Sequence, residues 1–304
     1  ATQALMIKGK KCFKGEGSMA SWAERVAQGI WQELMGDNGS FGSRLGYIKK
    51  ITDRANQQRS EIWICDPLGI EHERLVAQGK IYVAPYWISN QILFSEFTQS
   101  NVRLMSYSLK TRKLKPLWNL SGTVAGVCCN KQGKECLYGR SGGIWHYIFD
   151  DTAKQGKHKL LIKEQGICSS PCWLPNGEIV YGCQGVIKIY KPKDNNAYRR
   201  LTDDGYCVGP NYSEIAHSVV YSKEVKGIMQ LFCYSFDTQK HEQVTFDAGN
   251  KIDPCWSPCG QYIAYCYRFE KSSSIVTIHI GTKKSHTLTQ TDDYCSYPAW
   301  SSYP

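Results

Sequence analysis

The pentapeptide Gly139-Arg140-Ser141-Gly142-Gly143 has the Gly-x-Ser-x-Gly pattern that presents the nucleophilic serine of α/β-hydrolases. In those enzymes the serine lies on a strained turn from a strand into a helix, and the same domain supplies a histidine and an acid. Here strand-like runs flank the pentapeptide on both sides, which favours a Gly-rich hairpin between two strands. The sequence therefore assigns no catalytic residue.

Histidine and cysteine are the other residue types that could hold a reactive group, with 7 histidines and 14 cysteines in the chain. Neither type shows the paired or clustered spacing of a zinc site, so no metal and no other cofactor is expected. The pairs Cys172/Cys183 and Cys255/Cys266 share one spacing. Small buried side chains are the favoured interpretation of these cysteines, and cross-strand disulfides in an oxidising compartment are the alternative.

The chain of 304 residues carries a formal net charge of +10, which raises the question of a polyanionic partner. The basic runs, such as residues 8–14 and 110–115, are short and scattered, and no RNA-binding signature accompanies them. Solvated faces are the favoured interpretation, and no nucleic acid partner is expected. Binding that collapses steeply with salt would be the mark of the polyanion-binding alternative. No apolar run is long enough to span a membrane.

A Pro-x-Trp segment recurs about every 43 residues and organises most of the chain. Clear copies lie at residues 85–87, 171–173, 254–256 and 298–300, a weaker copy at 210–212 and a degenerate copy at 127–129. A tight turn and three further short apolar strands follow the segment, the last ending in Leu-Thr or Val-Thr. Four short strands per repeat are typical of a β-propeller blade.

The two ends of the propeller region complement each other. The last Pro-x-Trp copy has no strands after it, whereas residues 45–48, 61–64 and 74–76 resemble second, third and fourth strands with no first strand. We therefore predict an all-β fold over residues 44–304, a six-bladed β-propeller of four-stranded antiparallel blades with split-blade closure by both termini. The residue before each Pro equivalent is expected near the axis. These residues are Ala84, Gly126, Ser170, Gly209, Asp253 and Tyr297.

Residues 1–43 lie outside the repeat. A capping box at Ser21 and Glu24, followed by Val26, Ile30 and Leu34, predicts an amphipathic helix over about residues 19–35. One helix cannot bury a core of its own. We therefore expect a short helical remnant of an N-terminal α/β domain.

The chain resembles the TolB family, periplasmic propeller proteins of the Tol–Pal envelope system. The resemblance rests on residues 256–260 (Trp-Ser-Pro-Cys-Gly), on 297–301 (Tyr-Pro-Ala-Trp-Ser) and on the entry segment 30–36 with Phe41, Arg44 and Tyr47. It implies a monomeric, non-enzymatic periplasmic scaffold that binds peptidoglycan-associated lipoprotein (Pal), supports outer-membrane integrity, cell division and protein transport, and meets the membrane only through partners. In the family, TolA is contacted by a flexible N-terminal segment, which is expected to be absent from this chain.

Partner recognition is expected on the propeller face that carries the longer loops, because loops on a rigid scaffold commonly form binding sites. The residues predicted to bind a partner around its mouth are Tyr82, Ser170, Tyr206, Lys251, Asp253 and Tyr297. The alternative function is a propeller hydrolase or the propeller domain of a prolyl-oligopeptidase-type peptidase. A calcium-dependent hydrolase needs several oxygen ligands at the axis, where the sequence offers the single carboxylate of Asp253.

Overall fold

The computed structural model describes the chain except residues 1–3, 8–10, 15–18, 36–38, 53–57, 99–100, 121–123, 131, 150–155, 195–196, 291–292 and 303–304. It contains the helix α1 (Met19–Met35) and mainly antiparallel strands. The strands are β1 (Ala4–Ile7), β2 (Lys11–Lys14), β3 (Leu45–Thr52), β4 (Gln58–Cys65), β5 (His72–Ile88), β6 (Gln91–Phe97), β7 (Val102–Ser108), β8 (Lys113–Leu120), β9 (Val124–Cys129), β10 (Glu135–Ile148), β11 (Lys157–Trp173), β12 (Ile179–Cys183), β13 (Val186–Lys191), β14 (Ala197–Arg200), β15 (Cys207–Ser213), β16 (Ser218–Val225), β17 (Ile228–Ser235), β18 (Lys240–Gln243), β19 (Asn250–Trp256), β20 (Tyr262–Phe269), β21 (Ser272–His279), β22 (Ser285–Thr287) and β23 (Cys295–Trp300).

The helix occupies the predicted range, but its first turn differs from the prediction. Because α1 begins at Met19, Ser21 lies inside the helix instead of capping it. The Glu24 carboxylate accepts a hydrogen bond from the Gly42 backbone N–H at 2.8 Å and lies 3.7 Å from the Arg44 guanidinium. Val26 is buried, whereas Ile30 is exposed. Glu24 therefore ties the helix to the chain that enters the sheets.

The strands pair in antiparallel groups of four. β23 pairs with β3, β3 with β4, and β4 with the first part of β5, whose second part begins the next group with β6, β7 and β8. The long strand β11 is shared in the same way between β10 and β12. β15–β18 and β19–β22 form two separate four-stranded sheets. β1 and β2 pair only with each other among the described residues.

The Gly-x-Ser-x-Gly pentapeptide lies within β10, which folds back on itself. The Phe149 N–H donates to the Lys134 carbonyl at 2.9 Å, and the rings of Tyr138 and Trp145 stack across the fold with centroids 6.4 Å apart. Gly142 and Gly143 take positive φ values of 91° and 141° at the reversal. Strand residues on both sides of the pentapeptide make it a hairpin, which is not the strand-to-helix turn of a nucleophile elbow.

Each Leu-Thr or Val-Thr pair serves as an anchor just beyond the outer strand, although the sequence places it within that strand. The strands β14, β18 and β22 end at Arg200, Gln243 and Thr287. The apolar residue that directly follows each of these strands is buried. The next threonine hydroxyl then accepts a backbone N–H from the neighbouring strand. These bonds are Ile187 to Thr202 at 3.0 Å, Leu231 to Thr245 at 2.9 Å and Ile275 to Thr289 at 3.0 Å.

The cysteine pairs of the structure differ from those that the spacing suggests. Cys129 and Cys136 lie opposite each other on β9 and β10 and form a disulfide. The suggested pairs Cys172/Cys183 and Cys255/Cys266 are not bonded, and all four side chains are buried. Cys183 instead lies opposite Cys168, with the two sulfur atoms 3.0 Å apart. Burial as small apolar side chains therefore describes most of the cysteines in the described part of the chain.

Candidate functional site: the central channel

The first strands of the four-stranded groups meet around one cavity of about 970 Å³. Its walls come from β9, β15, β19, β23 and the second parts of β5 and β11, together with residues of the adjoining turns. Proline, tryptophan, valine and cysteine side chains make much of this wall apolar. The recurring Pro-x-Trp segment thus builds the channel that runs between the sheets.

Every first strand has a bulge at the residue that precedes its proline or the equivalent position. The six predicted axis residues all have left-handed backbone angles, with φ of 51° at Ala84, 83° at Gly126, 49° at Ser170, 64° at Gly209, 53° at Asp253 and 52° at Tyr297. The pairing register shifts at the same point, for example between Ser169 and Cys172. The extra residue bends each first strand where it lines the channel.

Neighbouring first strands are tied to one another beside the channel. The Tyr86 hydroxyl donates to the Cys129 carbonyl at 3.3 Å, and the Cys172 thiol donates to the Pro210 carbonyl at 3.4 Å. Two further bonds join neighbouring strands: the Trp256 backbone N–H donates to the Asn211 side-chain oxygen at 2.8 Å, and the Trp87 indole N–H donates to the Ala299 carbonyl at 2.8 Å. These bonds tie the first strands into two runs of three, β9 with β5 and β23, and β11 with β15 and β19.

Asp253 and Tyr297 form the most polar part of the wall at the bulges. Burial raises the pKa of Asp253 to about 6, opposed by the Arg268 guanidinium and by a hydrogen bond from the Tyr297 backbone N–H. Burial also raises the pKa of Tyr297 to about 12, and the Asp253 carboxylate adds to this shift. The phenol therefore stays protonated at neutral pH, beside a carboxylate that titrates near pH 6.

The structure separates the six predicted partner-binding residues into three sets. Ser170, Asp253 and Tyr297 line the channel. Tyr206 lies outside it, 54% exposed, with its ring close against Gly185. Tyr82 is 1% exposed and packs edge-to-face on Phe94 with ring centroids 5.1 Å apart, so its placement at an open mouth is corrected. Burial raises the pKa of Tyr82 to about 12.

Lys251 also needs correction, because its side chain is completely buried. The ammonium donates to the carbonyl of Asp247, to that of Ala248 at 2.8 Å and to that of Gly249 at 3.0 Å, and it lies 3.1 Å from the Asp247 carboxylate. Burial lowers the pKa of Lys251, and Asp247 opposes the shift. Lys251 therefore holds the 247–249 turn together instead of presenting a charge to a partner.

Sequence reasoning named the axis positions correctly but did not single out Arg268. This residue is the penultimate residue of β20, the strand that pairs with β19, and lies opposite Asn250; its charge acts on both Asp253 and Tyr297. In the sequence, Arg268 stands out only as a cation near the end of the second strand of a repeat, two residues after Cys266. Only the hairpin register reveals which axis residue such a cation faces.

The channel has the chemistry of a binding site. An apolar wall with one carboxyl, one phenol and one hydroxyl at the bulges can orient a ligand group, while apolar area supplies the binding free energy. Among the described residues, no three or more His, Cys, Asp or Glu side chains are placed to hold a metal ion. Within the same part of the chain, no helix has both the length and the hydropathy that crossing a bilayer requires.

The fold and the cavity define a class, proteins built of four-stranded antiparallel sheets around a largely apolar channel. A family model described as the TolB beta propeller domain matches residues 31–304. The chain therefore belongs to the TolB β-propeller domain family.

The similar proteins agree with this family. The chain is 27% identical over 103 residues to the Tol-Pal system protein TolB of Albidiferax ferrireducens and 25% identical over 103 residues to that of Polaromonas naphthalenivorans. Each match covers 33% of this chain and 23% of the relative. The crystal structure of TolB from Acinetobacter baumannii superposes with a TM-score of 0.79 at 18% identity, covering 95% of this chain and 75% of that one. A chain of the nidogen/laminin complex gives a TM-score of 0.65 at 12% identity, covering 86% of this chain and 98% of that one.

Proposed function

We propose that the chain is a non-enzymatic periplasmic scaffold of the Tol–Pal system that binds Pal at the bulged end of its channel. The observation that carries the proposal is the ring of bulges, which sets Ser170, Asp253 and Tyr297 into one apolar channel. Tyr206 adds an exposed aromatic ring outside the channel. Buried aromatic anchors and a few charged groups are the usual energetic centre of a protein interface.

The proposed scaffold is a closed ring of six blades, a domain of residues 44–304, with residues 1–43 as the end of a preceding domain. The pairing of β23 with β3, in which Trp300 lies opposite Leu45, supports closure by the two ends of the propeller. Reciprocal hydrogen bonds of 2.8 Å between Arg44 and Ser301 support it further. Closure leaves no unpaired inner edge, which suits a monomer.

A scaffold role is favoured over hydrolysis by the place of the one catalytic-looking motif. Ser141 lies in the hairpin of β10, outside the group of residues that lines the channel. The function proposed for this chain is therefore adhesion between envelope components, in support of outer-membrane integrity and cell division. Contact with the membrane would run through the lipid anchor of Pal, and TolA would be bound through a segment beyond this chain.

Titration calorimetry against the cognate Pal at physiological salt tests the proposal. We expect a Kd near micromolar, and Asp253→Asn should weaken binding about tenfold, the effect of losing one charge-assisted hydrogen bond. Asp237→Asn is the matched control, because Asp237 lies in the turn after β17, where it pairs with His217 at 2.5 Å. Equal effects of the two variants would contradict the chosen site, and no heat from the folded parent protein would contradict Pal binding.

A further inference from the structure

The fold brings together basic runs that are separate in the sequence. The outermost strands of three successive groups carry exposed lysines and arginines, whereas β18 has one lysine and β22 none. Together with Lys110 and Lys193 in the turns before β8 and β14, these lysines and arginines make nine residues that we call the basic flank: Lys110, Lys113, Lys115, Lys157, Lys159, Lys163, Lys193, Arg199 and Arg200. β8 and β14 are the end strands of their sheets, and residues 157–163 pair on one side only, with β10.

Contacts between the groups make the basic flank continuous. Trp118 lies on β8 three residues beyond Lys115 and contacts His158 on β11, with ring centroids 5.8 Å apart, which places the C-terminal half of β8 beside Lys157 and Lys159. Glu164, next to Lys163, binds the Lys188 ammonium at 2.7 Å, and Lys188 lies opposite Arg200 in the sheet. The three basic runs therefore form one surface that curves around the outside of the channel.

The charges of the basic flank are available to a partner. Among the residues that the structure describes, none of its nine side chains forms an ion pair with a carboxylate, in contrast to the neighbouring Arg112, which binds Glu73. Lysine on an edge strand also discourages aggregation, but that role does not explain why the charges are concentrated on three of the strand groups. Nine like charges at close quarters repel one another, and an anionic partner would relieve that repulsion.

We propose that the basic flank docks a flexible acidic segment of a partner polypeptide. A convex arc meets a flat lipid surface at one strand at a time, whereas a flexible chain can follow its curve. Single-stranded nucleic acid needs a row of exposed aromatic rings, whereas among the described residues interleaved with the basic flank Tyr198 is the single exposed aromatic residue and the other exposed apolar side chains are aliphatic. Leu160 lies among them, and Ile148 pairs with Lys157. An acidic peptide with spaced aliphatic side chains fits both features.

The test measures binding of a fluorescent peptide of Glu-Leu-Glu-Ser repeats, about sixteen residues long, by anisotropy at low and at high salt. The first variant combines K113Q, K115Q, K157Q and K159Q. The matched control combines K226Q, K240Q, K271Q and K284Q, exposed lysines of the β15–β18 and β19–β22 sheets and their turns, and has the same net charge. We expect the first variant to weaken binding about tenfold or more and the control to weaken it less than twofold.

An equal loss of peptide affinity in the two variants would overturn the proposal, because it would show that net charge alone, and not the position of the charges, attracts the peptide. Absence of peptide binding at low salt would overturn it as well. Binding of phosphatidylglycerol vesicles or of oligothymidylate in place of the peptide would overturn it in favour of a lipid or nucleic acid partner. The double variant K157Q/K159Q, expected to show an intermediate loss, keeps the test valid if the quadruple variant fails to fold. The proposal concerns the outer strands and is independent of Pal binding at the channel.

Discussion

Two glycines at equivalent positions of the channel wall offer a direct measure of how closely the sheets meet. Gly126 and Gly209 both precede the Pro equivalent, with φ of 83° and 64°. A Cβ atom on Gly126 would lie 3.0 Å from the Ser170 backbone nitrogen, which cannot move without displacing β11. A Cβ atom on Gly209 would meet nothing nearer than the Pro254 Cδ at 3.6 Å, an ordinary contact.

Alanine at either position must adopt the left-handed conformation, which costs about 1–2 kcal/mol. Restriction of the unfolded chain returns about 0.4–1 kcal/mol. We therefore expect Gly209→Ala to lower the free energy of unfolding by about 0.5–1 kcal/mol. Gly126→Ala adds the overpacking of a tight site, about 1–3 kcal/mol, so its loss should be about 2–4 kcal/mol.

Urea unfolding followed by tryptophan fluorescence, at unchanged m-value, gives both free energies on the same scale. The expected result is a much lower midpoint for Gly126→Ala than for Gly209→Ala. Equal midpoints would refute the close approach of β9 to β11, and with it the lateral contacts inferred around the channel. A soluble expression yield that falls only for Gly126→Ala would agree with the predicted order.

Three further outcomes follow from buried groups. Burial raises the pKa of Asp253 from 3.8 to about 6, so ionisation of this carboxyl destabilises the native state progressively between about pH 4 and 6 and fully above that range. In paired urea titrations, Asp253→Asn should raise the free energy of unfolding by up to about 3 kcal/mol at about pH 7.5 and leave it unchanged near pH 3.5. Lys251→Met removes the donor to three carbonyls and should accelerate hydrogen exchange in residues 246–250, with about 2–4 kcal/mol lost in global stability; unchanged exchange there would contradict its role. Thiol titration of the denatured protein should find two more thiols after reduction than before, and Cys129→Ala with Cys136→Ala should abolish the difference at a cost of about 2 kcal/mol.

The repeat in the sequence predicted the strands well because each blade strand is encoded locally. Proline and tryptophan mark the first strand, turn residues mark the hairpin, and an alternating apolar run marks the next strand. The bulge positions also followed from the sequence, since each precedes a proline or its equivalent. The end of the outer strand was less predictable, because Thr202 and Thr245 act through side-chain hydrogen bonds that have no signature in strand propensity.

The site residues and the cysteine pairs depended on features that the sequence does not display. Cys172 lies opposite Val180, and the bulge moves the register by one, so that Cys183 faces Cys168 and not Ser169. Lysine is usually a surface residue, yet the chain turns back over Lys251, and its ammonium donates to three backbone carbonyls. Tyr82 has a polar tip that favours a mouth position, but its ring packs into the core beside Phe94. Side-chain direction, and not residue type, decided these cases.

The backbone at the axis supports the proposed channel site on grounds independent of any relative. Two of the six bulges have glycine, the residue that adopts the left-handed conformation without strain. Ala84, Ser170, Asp253 and Tyr297 hold the same conformation with side chains, and a bulky tyrosine at φ 52° is the most strained of the four. Strain of this kind persists where the side chain serves a purpose that glycine cannot. The hydroxyl, the carboxyl and the phenol that line the channel are therefore the groups whose removal should separate binding from stability.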